Sequence, residues 1–155
     1  MIRPALQIAI PVAVVVLLAV GFYRVMHGTG MISERIGEVV HDPVAQELDL
    51  ATLTSFGWDR FYYFKAGTTR DEICAFIQAR ANRCALYVQY DAVPEDSNAL
   101  LFSLNGQLTH MELHALANGE FDVTAGRSGF PKDAAVFHIR RSMSGTQERI
   151  ILEPR

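Results

Sequence analysis

The sequence predicts a mixed α+β protein: an N-terminal transmembrane helix, then a small antiparallel sheet with one packed helix. Three observations carry that expectation. Pro4–Tyr23 is an uncharged, strongly apolar run. Thr69-Arg70-Asp71-Glu72 has the spacing of a helix-opening capping box. Apolar residues alternate on either side of Asn105-Gly106, a dipeptide suited to a two-residue hairpin turn. The organisation that follows is an anchor or signal segment over 1–24, a linker with a short helix over 25–48, and an extracytoplasmic α+β domain over 49–155.

An α-helix rises about 1.5 Å per residue, so roughly 20 residues cross a bilayer core of about 30 Å. Pro4–Tyr23 has that length, with Arg3 before it, Arg24 after it, and Phe22 and Tyr23 placed for the aromatic interface belt. Pro4 falls in the first turn, where a missing N–H costs little, and a membrane helix tolerates a kink at Pro11. One rival is a cleaved signal peptide ending near Ala19-Val20-Gly21. The other is a buried core helix, but Val14–Leu18 is apolar on every face. Arg24 and Arg35 follow the span, so the count of basic residues does not by itself favour export. The short N-terminal tail and the acidic Glu34, Glu38 and Asp42 that follow point to an exported C-terminal part. The expected location is a bacterial inner membrane crossed once, with the domain in the periplasm, or secretion to the periplasm after cleavage.

Beyond residue 23 the chain carries 13 basic and 17 acidic residues. A mildly acidic domain is a poor match for nucleic acid, which requires a basic face. The expected partners are the lipid bilayer, through residues 4–23, and an envelope protein. No cofactor is expected.

Met31–Val40 reads as a short amphipathic helix, with Met31, Ile32, Ile36, Val39 and Val40 apolar. Asp42-Pro43 resembles a cap and first-turn pair for a second short helix ending near Leu50. Trp58–Phe64 is aromatic and strand-like. The capping box opens a helix over about residues 70–81, with Ile73, Phe76 and Ile77 on one face. Ala85–Tyr90 reads as a strand and Pro94–Asn98 as a loop. A two-residue turn at Asn105-Gly106 pairs Leu104 with Gln107, Phe102 with Thr109 and Leu100 with Met111. That register puts Leu100, Phe102, Leu104, Met111 and Leu113 on the core face. Leu101, His110, Glu112 and His114 then share the outer face. Ala117–Gly129 is rich in turn formers, and Ala134–Arg141 and Glu148–Leu152 are strands around a turn at Ser142–Thr146.

His110-x-Glu112-x-His114 is the most site-like constellation. On a strand, alternate side chains project from one face. Two imidazoles and a carboxylate are plausible zinc ligands. Residues two apart on a strand are about 6–7 Å apart, however, so one ion needs a bend. The competing reading is a solvated outer sheet face. Trp58, Asp59, Tyr62 and Tyr63 form a candidate interaction surface, with Asp59 as an acid or base beside an aromatic wall, or as a turn cap. His138 is expected to face outward or to be hydrogen-bonded in place. Gly126-Arg127-Ser128-Gly129 lacks the strand–turn–helix setting of a nucleophile elbow. Cys74 and Cys84, ten residues apart, are expected to form one disulfide in an oxidising compartment, and the competing reading is two buried thiols in a domain that is not exported.

The run DLATLTSFGWDRFYYF, followed by a threonine-capped helix and a hairpin, resembles a pattern in small bacterial envelope proteins. The positions that carry the likeness are Leu50, Leu53, Phe56, Trp58, Asp59, Tyr62, Phe64 and Thr69, within residues 48–113. Where that pattern often continues Pro-Tyr-Thr, this chain has Gly67-Thr68-Thr69. The resemblance implies an envelope location and no particular activity. The function expected is a membrane-anchored extracytoplasmic binding module. The alternatives are a small metal-dependent hydrolase using His110, Glu112 and His114, and a structural subunit of a membrane complex.

Overall fold

Two four-stranded sheets face each other across one apolar layer, and short helices cover the rest. The structure is a computed structural model that describes residues 30–78, 81–123 and 129–155. The apolar run Pro4–Tyr23 lies outside the described residues, as does most of Gly126–Gly129. No helix among the described residues is long and apolar enough to cross a membrane.

Helix α1 (Met31–Val40) forms as its periodicity predicts. Ile32, Ile36 and Val40 recur every fourth residue and bury one face. Asp42-Pro43 does not open a second helix. The Asp42 carboxylate accepts from the Val44 N–H at 3.0 Å, a local turn, and the chain runs into strand β1 (Glu47–Asp49). Pairing of β1 with β7 draws this segment out of helix and drops Leu48 into the core.

Strand β2 (Arg60–Phe64) occupies the aromatic run. Helix α2 (Arg70–Phe76) begins at the capping box: Thr69 Oγ1 accepts from the Glu72 N–H, and Glu72 Oε2 accepts from the Thr69 N–H at 2.7 Å. The helix is shorter than its sequence predicts, and the expected strand at Ala85–Tyr90 is instead helix α3 (Ala81–Tyr87) followed by a loop. The cysteines supply the reason. Ten residues along one straight helix cover about 15 Å. The Cys74–Cys84 disulfide has its Cα atoms 5.8 Å apart. The chain must therefore break and return, and Gln78 sits just after α2 at φ 55°. Cys84 and Val88, four apart, are both fully buried on the inner side.

Strands β3 (Ser97–Leu104) and β4 (Gln107–Ala115) form the hairpin around Asn105 and Gly106, which have φ of 52° and 73° as the tight turn requires. The register departs from the simple one. Leu104 faces Gln107 and Ser103 faces Leu108, but Phe102 then faces His110, so Thr109 is an extra residue in a β-bulge. Beyond the bulge every β4 side chain changes side. Leu101 now faces Met111, and Leu100 faces Glu112.

The remaining strands are β5 (Glu120–Phe121), β6 (Phe130–Pro131), β7 (Val136–Ser144) and β8 (Gln147–Pro154). One sheet has the order β4-β3-β2-β6 and the other β1-β7-β8-β5; β5 and β8 are parallel, and the other strand pairs among the described residues are antiparallel. The main core lies between the sheets. Phe61, Leu100 and Phe102 come from the first, Leu48, Phe121, Phe137, Ile150 and Leu152 from the second, and α1 adds its apolar face. A smaller core on the opposite side of the first sheet gathers Tyr62, Phe64, Leu101, Ile73, Cys84 and Val88 under α2 and α3. The fold is thus α+β as the sequence predicts, with two sheets in place of one.

The disulfide closes a short loop, so replacing Cys74 and Cys84 together by alanine is expected to lower unfolding stability by about 2–3 kcal/mol. Urea titration of the protein and the double variant measures this. A difference near zero would mean that packing alone fixes the α2–α3 turn.

Candidate functional site

The bulge decides where His110, Glu112 and His114 go. They share one face, as their alternation predicts, but that face is the inner one. Glu112 retains 8 % of its exposure and His114 none. The solvated outer face expected for them is therefore corrected: the strand's outward residues become inward ones past Thr109.

Their partners are in α1. Glu112 reaches the first turn of that helix, where its carboxylate accepts from the Ser33 N–H at 2.6 Å and the Ile32 N–H at 3.3 Å. The first amides of any helix lack internal acceptors and carry the positive end of its dipole. Gly30, the residue that caps α1, has no side chain to satisfy them. Glu112 takes that role from across the fold, and the exchange requires glycine. A Cβ at residue 30 would lie 2.4 Å from Glu112 Cδ. His110 Nε2 stands 2.9 Å from the same carboxylate, with its ring tilted against Phe56.

His114 is tied at both nitrogens. Nε2 lies 2.7 Å from the Gly119 carbonyl, which only accepts, so the proton sits on Nε2. Nδ1 then accepts from the Ser33 hydroxyl at 3.0 Å. Ser33 Oγ in turn accepts from the Ala115 N–H and from Asn118 Nδ2, each at 3.1 Å. Asn118 Nδ2 also donates to the Ser33 carbonyl at 2.8 Å. Burial lowers the pKa of His114, against the hydrogen bond to Gly119 and the Glu112 charge, which raise it. The neutral imidazole is the form that this network accommodates.

Such an arrangement can hold a helix more readily than it can turn over a substrate. Ser33 and His114 have the spacing of an activated nucleophile, yet neither is exposed at all. Among the described residues no group of three His, Cys, Asp or Glu side chains is placed to hold a metal ion, His110, Glu112 and His114 included.

The aromatic candidates also lie mostly inside. Trp58 is 3 % exposed, donates from Nε1 to Thr54 Oγ1 at 2.7 Å, and has Lys132 Nζ 5.2 Å from its ring centroid. Asp59 caps the hairpin turn, accepting from the Asn105 N–H at 2.9 Å. Tyr62 is buried under α2 with Phe76 against its ring. The Tyr63 hydroxyl accepts from Asn98 Nδ2 at 2.5 Å, and burial raises its pKa. These four line two cores and a turn, which leaves little side-chain surface for a partner. His138 faces outward, 3.5 Å from Glu47.

Compared with known proteins, the chain matches no family model, no curated protein and no solved structure.

Residues that the sequence did not single out complete the picture. Gly30, Ser33 and Asn118 shape the α1 contact, and nothing in their local spacing marks them. A cavity of about 630 Å³ opens on the other side of the first sheet, lined by Tyr62, Arg83, Leu86, Tyr87, Ser103 and Leu108 among others. Its signal in the sequence was split between one helix, read as a strand, and a hairpin 20 residues away.

Replacing Glu112 by glutamine removes the charge and puts an amide donor where helix amides already donate. The expected cost is about 1–3 kcal/mol of unfolding free energy. Gly30→Ala disturbs the same contact, so the double variant Gly30→Ala/Glu112→Ala should cost less than its two single changes together. Urea unfolding of all the variants checks both; strict additivity would separate Gly30 from Glu112.

The pH dependence has a definite sign. A lowered folded pKa means that unfolded chains bind more protons near and below the ordinary histidine value, about 6.5. The His114 contribution is whole above that value and declines as pH falls towards the lower folded one. Unfolding midpoints at pH 7.5 and 5.0 should differ more in the native protein than in His114→Gln.

Proposed function

We propose that this chain is a membrane-anchored binding module that displays a disulfide-bonded α+β domain outside the cytoplasm. The Cys74–Cys84 bridge is the observation that carries this reading, because bridges of this kind persist in oxidising compartments. The apolar length of Pro4–Tyr23 and its flanking Arg3 and Arg24 supply the anchor. The resemblance of residues 48–113 to small envelope proteins points the same way. A binding role is favoured over a hydrolytic one because the histidines and carboxylate best suited to catalysis are engaged in seating α1. The cavity beside α3 offers a concave surface of the size that small ligands occupy.

A reporter that is active only in the periplasm, fused after Arg155, should be active, and a cytoplasm-only reporter silent. The full-length protein trapped in cells should leave both cysteines unlabelled by a maleimide until it is reduced. Cytoplasmic reporter activity with both thiols labelled would overturn the reading.

A further inference from the structure

Exposed apolar side chains scattered singly are ordinary on a folded domain. Met31, Val44, Leu104, Leu116 and Met143 are of that kind, each without an exposed apolar neighbour in the sequence. Helix α3 differs. Leu86 is 71 % exposed and the adjoining Tyr87 38 %. Both border the cavity of about 630 Å³, and Ile77 and Leu108 line it with them. The described residues of that lining include no aspartate or glutamate, in a chain that carries 17 acidic residues. Such a surface suits the boundary of a bilayer, where leucine meets acyl chains and a tyrosine ring sits at headgroup level.

The place where the chain enters the domain brings this surface within reach of a membrane. The Gly30 N–H donates to the Leu113 carbonyl at 3.1 Å, so the entry point is the edge of β4. Strand β4 packs against α3. Leu108 of β4 belongs to the cavity wall, and both Leu108 and Leu113 pack on the smaller core that holds Cys84 and Val88. The stretch of strand from Leu108 to Leu113 covers about 15 Å. Residues 24–29 alone separate the apolar run from Gly30, and a connection of that length reaches about 20–25 Å when fully extended. A bilayer crossed by Pro4–Tyr23 is thus no farther from Gly30 than the tether allows, and the tether is long enough for the domain to lie on its α3 side.

We propose that the α3 lip docks on the bilayer that holds the anchor, with Leu86 and Tyr87 in the interface and the mouth of the cavity turned towards the lipid. The proposal deepens the anchored reading above and rests on it. The contact is apolar, so a zwitterionic lipid suffices.

The test uses the full chain, disulfide intact, in phosphatidylcholine vesicles with plain or brominated acyl chains. Bromine quenches indole fluorescence at close range only. Trp58 is buried in the main core and gives a constant background. Tyr87→Trp adds an indole at the lip, and Met143→Trp adds one at an exposed position of the other sheet. Brominated lipid should lower the emission added at residue 87 about twofold or more and leave that added at residue 143 unchanged. Leu86→Glu in the Tyr87→Trp chain replaces the apolar contact with a charge and should reduce the quenching to the level at residue 143. Near-ultraviolet circular dichroism checks each fold, and Leu86→Trp repeats the measurement at a more exposed position should Tyr87→Trp disturb the packing. A native chain that fails to float with the vesicles would overturn the anchored reading and this proposal with it. A chain that floats while the lip label is quenched no more than the one at residue 143, or is quenched equally after Leu86→Glu, would overturn the docking and leave the anchor standing.

Discussion

Helix α1 is held by opposite charges at its two ends, and the two charges come from different sheets. At its start, the Glu112 carboxylate of β4 accepts the first-turn amides. At its end, the Arg141 guanidinium of β7 donates to the Val40 carbonyl at 2.8 Å, to the Asp42 carbonyl at 2.7 Å and to the Ala45 carbonyl at 3.0 Å. Each charge complements the helix dipole and satisfies backbone groups that the helix itself leaves unpaired. A helix of ten residues is marginal alone in water. Here it spans the gap between the β4-β3-β2-β6 sheet and the β1-β7-β8-β5 sheet and closes the core that they share. The small residues along it follow from the same contact: a Cβ at Gly37 would lie 2.6 Å from Asn118 Oδ1, just as one at Gly30 would strike Glu112.

This arrangement depends on a single extra residue. Without Thr109 as a bulge, β4 would present Met111 and Leu113 to the main core and send Glu112 and His114 to the far side. The bulge exchanges them. Met111 and Leu113 then pack against the smaller core, where Met111 Sδ accepts from the Tyr90 hydroxyl at 3.8 Å. Glu112 and His114 enter a layer that is otherwise apolar. Burying charge and imidazole there is tolerable because every polar atom has a partner: helix amides and His110 for the carboxylate, Gly119 and Ser33 for the ring.

The parts of the fold that were legible in the sequence are those fixed by neighbours in the chain. The Thr69–Glu72 box, the Asn105-Gly106 turn and the four-residue rhythm of Ile32, Ile36 and Val40 are local physics, and each forms where its residues place it. What was not legible depends on partners far away. The break between α2 and α3 is imposed by a covalent bond, and the strand-like Ala85–Tyr90 yields to a helix that turns Cys84 inward and a loop that begins with the buried Val88. The bulge is one inserted residue in a pattern that alternates equally well with it or without it, so the sequence could identify His110, Glu112 and His114 as one face but not which face. Arg141 gave no signal, because its acceptors are main-chain carbonyls about 100 residues earlier in the chain.

The polar groups that hold the fold are recognised by where their hydrogen bonds end. Histidine, glutamate and serine beside one another in β4 and α1 resemble chemistry until their hydrogen bonds are followed, and each then ends on backbone that needs it. Ser103, beside the bulge and on the opposite side of the same sheet, has no such destination among the described residues. Exposed Leu86 and Tyr87 and a cavity of about 630 Å³ lie on that side of the sheet. Asp59 Oδ1 is the other buried side-chain atom without a hydrogen-bond partner among the described residues, and it too lies beside the hairpin turn. A single bulge therefore does two things. It turns one side of β4 into a clasp for α1, and it hands Met111 and Leu113 to the smaller core on the other side of the sheet.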